Sequence, residues 1–140
     1  FVPFTIATAN LEEENADWKE HADTNSISEI VHHLIFYNNL YLQRFKDEDF
    51  QFVRISNDET FLNANGFTWE QTRARAIRVF EEWHTVLRET DDDKLNASNK
   101  NGIQWHDILS DIILHNAYHI GQIVTIRKSR KWWDKETGVS

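Results

Sequence analysis

Residues 105–130 read WHDILSDIILHNAYHIGQIVTIRKSR, and whether this run is helix or strand decides the fold. Its many β-branched isoleucines favour a strand. Its length and the 3.6-residue recurrence of Ile108, Leu109, Ile112, Ile113, Ile120, Ile123, Val124 and Ile126 favour a helix, and they prevail. Lys128, Arg130 and Lys131 stand at its C-terminal end, where cations suit the helix dipole. Ile108, Ile112, His115, His119 and Ile123 share one face, so two histidines interrupt a stripe that otherwise points to a core.

Working outward, two further helices announce themselves by capping boxes, a small hydroxyl followed three residues later by Glu or Gln. Ser26-Ile27-Ser28-Glu29 opens a helix over about 26–46, with Ile27, Ile30, Val31, Leu34, Ile35, Leu42 and Phe45 at helical spacing. Thr68-Trp69-Glu70-Gln71 opens another over about 68–89, carrying Ala74, Ile77, Val79, Phe80, Trp83, Val86 and Leu87. Between them, residues 48–67 form a long connection rich in turn formers. The run Asp91-Asp92-Asp93 reads as a solvated loop, being unfavourable at a helix C-terminus. Residues 94–103 read as a further loop. A fourth helix is expected around Thr5–Glu14. With four Gly and one Pro in 140 residues, long helices outcompete many short strands. The expected architecture is all-α, a single domain over 1–140 folded as an up-and-down four-helix bundle with mostly antiparallel packing.

Composition excludes several functions. Fifteen Lys and Arg against 23 Asp and Glu leave a net charge of −8, which repels phosphate backbones and argues against nucleic-acid binding. The absence of Cys excludes disulfides, thiolate metal sites and a protein thiol nucleophile. No apolar run approaches the roughly 20 residues that span a bilayer, and no secretory signal is visible at the start. A cytoplasmic protein without membrane attachment is expected. The chain starts at Phe1 and has no Met, pointing to an N-terminal segment outside this sequence or to methionines lost in its record. No phosphate-cradling Gly loop, dinucleotide fingerprint or Ser-His-Asp order is present.

The chemistry therefore rests on histidines. His115 and His119 are four residues apart, which places them about 40° apart around the helix and ~6 Å along it, within reach of one metal ion. The spacing recurs by chance, and a core histidine is often only a hydrogen-bonded one. A third ligand has to come from another helix. His33 shares a face with Ile30 and Leu40, whereas His32 lies about 100° round the helix, toward an interface or solvent. Glu70, Glu81, Glu82 and His84 are available but read as a solvated face. Gln122 either supports a metal ligand or caps a helix contact; Tyr37 and Tyr118 either line a pocket or, as the favoured reading, pack in the core, and Gly121 reads as a point of close approach near the metal. Trp69, Trp83, Trp132 and Trp133 exceed what the core of a small bundle holds, so a homodimer is expected.

The stretch Ser26-Ile27-Ser28-Glu29-Ile30-Val31-His32-His33-Leu34-Ile35-Phe36-Tyr37-Asn38 and the stretch His115-Asn116-Ala117-Tyr118-His119-Ile120-Gly121-Gln122-Ile123 together resemble the DinB-like superfamily over about residues 10–134. The family pattern is a His-Leu pair in an early helix and a late HxxxH followed by x-Gly-Gln. Trp132-Trp133-Asp134 is also similar to the tails of relatives, while the family's first helix is cut short here. The resemblance implies a bundle holding a divalent metal on His33, His115 and His119. It also implies relatives that are thiol-dependent transferases and isomerases, often dimeric. Imidazole ligands suit Zn, Ni, Fe or Mn. Two functions follow as expectations. One is a metal-dependent thiol S-transferase or hydrolase acting on a small molecule, with a low-molecular-weight thiol as partner. The other is a non-enzymatic metal-binding stress-response or interaction module.

Overall fold

A computed structural model describes residues 1–136. Among them the chain forms α1 (Phe4–Ala7), α2 (Glu13–Asp17), α3 (Ile27–Lys46), a 3₁₀ turn (Asp58–Phe61), α4 (Trp69–Arg88), α5 (Asp92–Asn96) and α6 (Trp105–Ser129), with no strand. Both capping boxes close as the sequence requires. Ser26 Oγ accepts from the Glu29 amide while Glu29 accepts from the Ser26 amide, and Thr68 and Gln71 repeat the exchange. Each satisfies amides that a helix start leaves without partners.

Where one N-terminal helix is expected, two short ones stand. They are separated by Asn10, which adopts φ +54°, a left-handed conformation that Asn tolerates better than most residues and that ends helical propagation. Arg127 ties this segment to α6. It is 4% exposed and donates to the carbonyls of Ile6, Ala7 and Trp132, so its guanidinium closes the C-terminal end of α1. The acidic run also differs from expectation. Asp91 accepts from the Lys94 amide, and Asp92 and Asp93 occupy the first turn of α5. They lie at a helix start, where carboxylates favour the dipole.

Helix direction departs from the up-and-down plan. The early part of α3 meets the start of α4 and its later part meets the end: His32 meets Thr72, whereas the Asn38 carbonyl accepts from Trp83 and Lys46 meets Glu82. The two helices are therefore parallel. Residues 47–68 supply the long return that a parallel pair requires, since each 20-residue helix is about 30 Å long. In contrast, α6 runs against α3, with Asn38 paired to Asn116 and His33 beside both His115 and His119.

The core divides into two apolar clusters. One gathers Phe4, Ala7, Leu11, Ala16, Ile27, Ile30, Val31, Leu34, Trp69, Ala76 and Ile123. The other gathers Leu42, Phe45, Trp83, Trp105, Ile108 and Ile112. Where α3 and α6 face each other the apolar packing is interrupted by polar side chains, His33 and Asn38 on one helix and His115, Asn116 and His119 on the other. Buried polar groups at this level need partners. Asn38 and Asn116 donate to each other's carbonyl oxygens at 2.7 and 2.9 Å, and Asn38 also donates to the Leu34 carbonyl. Trp69 and Trp83 are buried in their own chain, while Trp132 and Trp133 are half-buried.

Candidate metal centre

The three expected histidines converge. One ring nitrogen from each of His33, His115 and His119 lies within 4.8 Å of the other two, forming a group that could hold one metal ion. His33 and His119 are 3% and 7% exposed, and His115 is half-buried. The other candidates lie elsewhere. His32 turns to Thr72 on α4, Glu70, Glu81 and His84 are exposed, and Glu82 pairs with Lys46.

The hydrogen-bond network fixes the tautomers. Thr60 Oγ1 donates to the Asn57 carbonyl, so it accepts from His33 Nδ1–H at 2.6 Å. Gln122 donates its amide to Tyr118 and turns Oε1 to His119 at 2.7 Å, so it accepts from His119 Nδ1–H. In both rings Nε2 keeps its lone pair, which is the arrangement by which outer partners orient metal-binding histidines. His33 Nε2 and His115 Nε2 approach to 3.0 Å. Two lone pairs at that distance repel unless a proton or a cation lies between them. Tetrahedral ligation with bonds of ~2.0–2.1 Å sets neighbouring nitrogens roughly 3.4 Å apart, so the donor set and its spacing fit a divalent ion.

Electrostatics favour the ligand form. His33 is held down to about 3, first by burial and then by its two histidine neighbours. His115 is lowered by burial and by His119, against an opposing Asn116 hydrogen bond. His119 is lowered by burial, against its bond to Gln122. Neutral imidazoles are the form that binds metal. For the metal-free protein the same shifts have a cost in acid. Below the ordinary imidazole value of 6.5 the unfolded chain takes up protons that the folded chain refuses, so stability falls as pH drops from 6.5 toward about 3. Thermal melts of chelator-treated protein are expected to show Tm falling over that window. The slope should be shallower in a His33→Gln variant.

Two contributors escape the sequence reading. Thr60 and Phe61 come from the 3₁₀ turn in the long connection, and Phe61 stacks on the His33 ring at 4.1 Å with planes 14° apart. The signal was present: Ser56-Asn57-Asp58-Glu59 repeats the capping-box form, and the Ser56 and Glu59 side chains bond each other's backbone amides. Gln122 resolves to the His119 partner. Tyr37 and Tyr118 line the cavity rather than the core, and Tyr118 is 63% exposed. Gly121 is also exposed, and a Cβ there would meet nothing within 4 Å, so it serves no close approach within the chain. Among the described residues no helix is long and apolar enough to cross a membrane.

A cavity of about 620 Å³ opens onto all three imidazoles and extends between α3, α6 and the loop preceding α6. Among the described residues the chain is helical and brings two histidines four apart on α6 together with a third from α3 in a group that could hold a metal ion. The family model of the DinB superfamily matches residues 4–123, and the chain belongs to that superfamily. No curated protein and no solved structure matches it.

Proposed function

We propose that the protein binds one divalent metal through Nε2 of His33, His115 and His119 and acts as a metal-dependent thiol S-transferase or hydrolase on a small molecule. The observation that supports this is the open cavity at the imidazole face, lined by Tyr37, Asn57 and Tyr118 beside the histidines. A structural metal would instead be enclosed by its ligands. When bound, a +2 ion on three neutral imidazoles lowers the pKa of a coordinated water or thiol. With no Cys in the chain, any thiol arrives as co-substrate. Thr60 and Gln122 hold two of the rings in the metal-binding tautomer, and the Tyr37 and Phe61 rings wall the approach.

The test has two stages. Metal analysis after loading with Zn, Ni, Fe or Mn is expected to give one ion per chain. The loaded protein is then assayed for thiol conjugation to monobromobimane and for ester hydrolysis, with His115→Ala as control. One bound ion with neither activity above the control favours the non-enzymatic module.

The homodimer is proposed on a different footing from the tryptophans. Ile113 and Leu114 are 64% and 68% exposed on the outer face of α6. Ser110, Ala117, Gly121 and Thr125 continue that face without a charge. An uncharged stripe is self-complementary about a two-fold axis, needing no opposite charge on its partner. Light scattering is expected to give a dimer mass for the wild type and a monomer mass for Leu114→Arg. A monomeric wild type counts against it.

A further inference from the structure

The metal-end histidines occupy only one end of the cavity. The other end holds Arg44. From His33, the face of α3 continues through Tyr37 and Tyr41 to Arg44, and all four line the same cavity. The Arg44 guanidinium lies 4.6 Å from the centre of the Phe52 ring and 5.9 Å from that of Tyr41, so aromatic faces hold it in place. Among the described residues it has no ion pair and donates no hydrogen bond. The carboxylates that line this cavity and the adjoining one make no ion pair with it: Glu48 pairs with Lys94 at 3.7 Å, and Asp111, a turn before His115 on α6, is exposed. Asn99 and Asn101 bring amide donors to the same end, and Lys100 lines the adjoining cavity. Ile103, Ile108 and Ile112 add apolar wall to the cavity, interrupted by Asp111, which also lines it.

We propose that Arg44, with Asn99 and Asn101, is a carboxylate-binding subsite, and that the substrate is an elongated small molecule with a metal-seeking atom at one end and a carboxylate at the other. The inference rests on the metal-centred reading above and adds the class of substrate to it. A planar guanidinium matches a carboxylate two bonds to two. One arginine and neutral amides balance a monoanion; a phosphate dianion beside Asp111 and Glu48 would lack countercharge. Span follows from the helix. Eleven residues at 1.5 Å place the His33 and Arg44 backbones ~16 Å apart; both side chains lean toward the N-terminal end of α3, so their tips keep about that spacing, and a metal bond of about 2 Å and a hydrogen bond of about 3 Å leave roughly 10 Å for the ligand.

The probes are 8-mercaptooctanoate, whose ends match that span, 8-mercaptooctanol of equal length without the charge, and mercaptoacetate, which is too short. Calorimetric titration into the Zn-loaded protein is expected to favour the octanoate over the octanol by at least about tenfold, as a desolvated charge-assisted bond provides. Arg44→Gln should abolish that preference while leaving octanol affinity unchanged, and Arg44→Lys should keep only part of it. Mercaptoacetate affinity should be the same in wild type and Arg44→Gln. Equal affinity for octanoate and octanol, or a preference that survives in Arg44→Gln, overturns the subsite and leaves the metal reading standing. A loaded wild type that binds none of the three thiols overturns the metal-centred reading, and the subsite with it.

Discussion

Replacing His119 with Ala is expected to lower divalent-metal affinity by more than about 100-fold. Loss of an outer partner of a metal ligand costs 10–100-fold in typical sites, and loss of the ligand itself costs more. The ring is buried, held by Gln122 and packed on His33 and His115, so no other side chain stands ready to replace it. Competition titration against a chromophoric chelator measures the loss. Gln122→Ala should fall in the lower range, since it removes only the acceptor that sets the tautomer. His32→Ala should change affinity little, because that ring faces Thr72 on α4. If His32→Ala released the metal while His33→Ala retained it, the ligand set proposed here would be wrong.

The second large effect is on stability and lies far from the cavity. Arg127→Ala is expected to destabilise the fold by about 3 kcal/mol, lowering Tm by roughly 10 °C for a chain of this size. The side chain is 4% exposed, and its removal leaves the Ile6, Ala7 and Trp132 carbonyls without their donor and opens a void under α1. The guanidinium also has Trp133 against it at 5.3 Å. Arg127→Lys should recover only part of the loss, because one ammonium cannot reproduce the fork. Denaturant unfolding reads both variants. A change below about 0.5 kcal/mol in Arg127→Ala would show that α1 docks by apolar contact alone.

Much of this protein is legible in its sequence because the decisive signals are local. The capping boxes at Ser26 and Thr68 place two helix starts to the residue, and the apolar recurrence carries α3, α4 and α6 to their ends. The four-residue spacing of His115 and His119 is a property of one helix, so their proximity needs no tertiary information. The choice of His33 over His32 also follows from one helical face. Periodicity on α6, however, does not say how much of each apolar pair is covered. Ile112 is buried and its neighbour Ile113 is exposed, because only one side of α6 meets α3.

Tertiary structure decided the rest, through contacts between residues remote in sequence. Helical periodicity is the same for parallel and antiparallel neighbours, so only the pairings of His32 with Thr72 and Asn38 with Trp83 reveal that α3 and α4 run together. The N-terminal segment breaks in two at Asn10 and is held by Arg127, 120 residues away from Ala7. Thr60 reaches His33 across 27 residues of chain, and Asn38 meets Asn116 across 78. The amino-acid sequence by itself determined the three long helices and the juxtaposition of His115 with His119, since both depend on spacing within a turn or two, and it singled out His33 by its helical face and the family resemblance. The folded chain alone decided helix direction, the tautomers of the histidines and the cavity that runs from them to Arg44, since each requires separate helices and the long connection to meet.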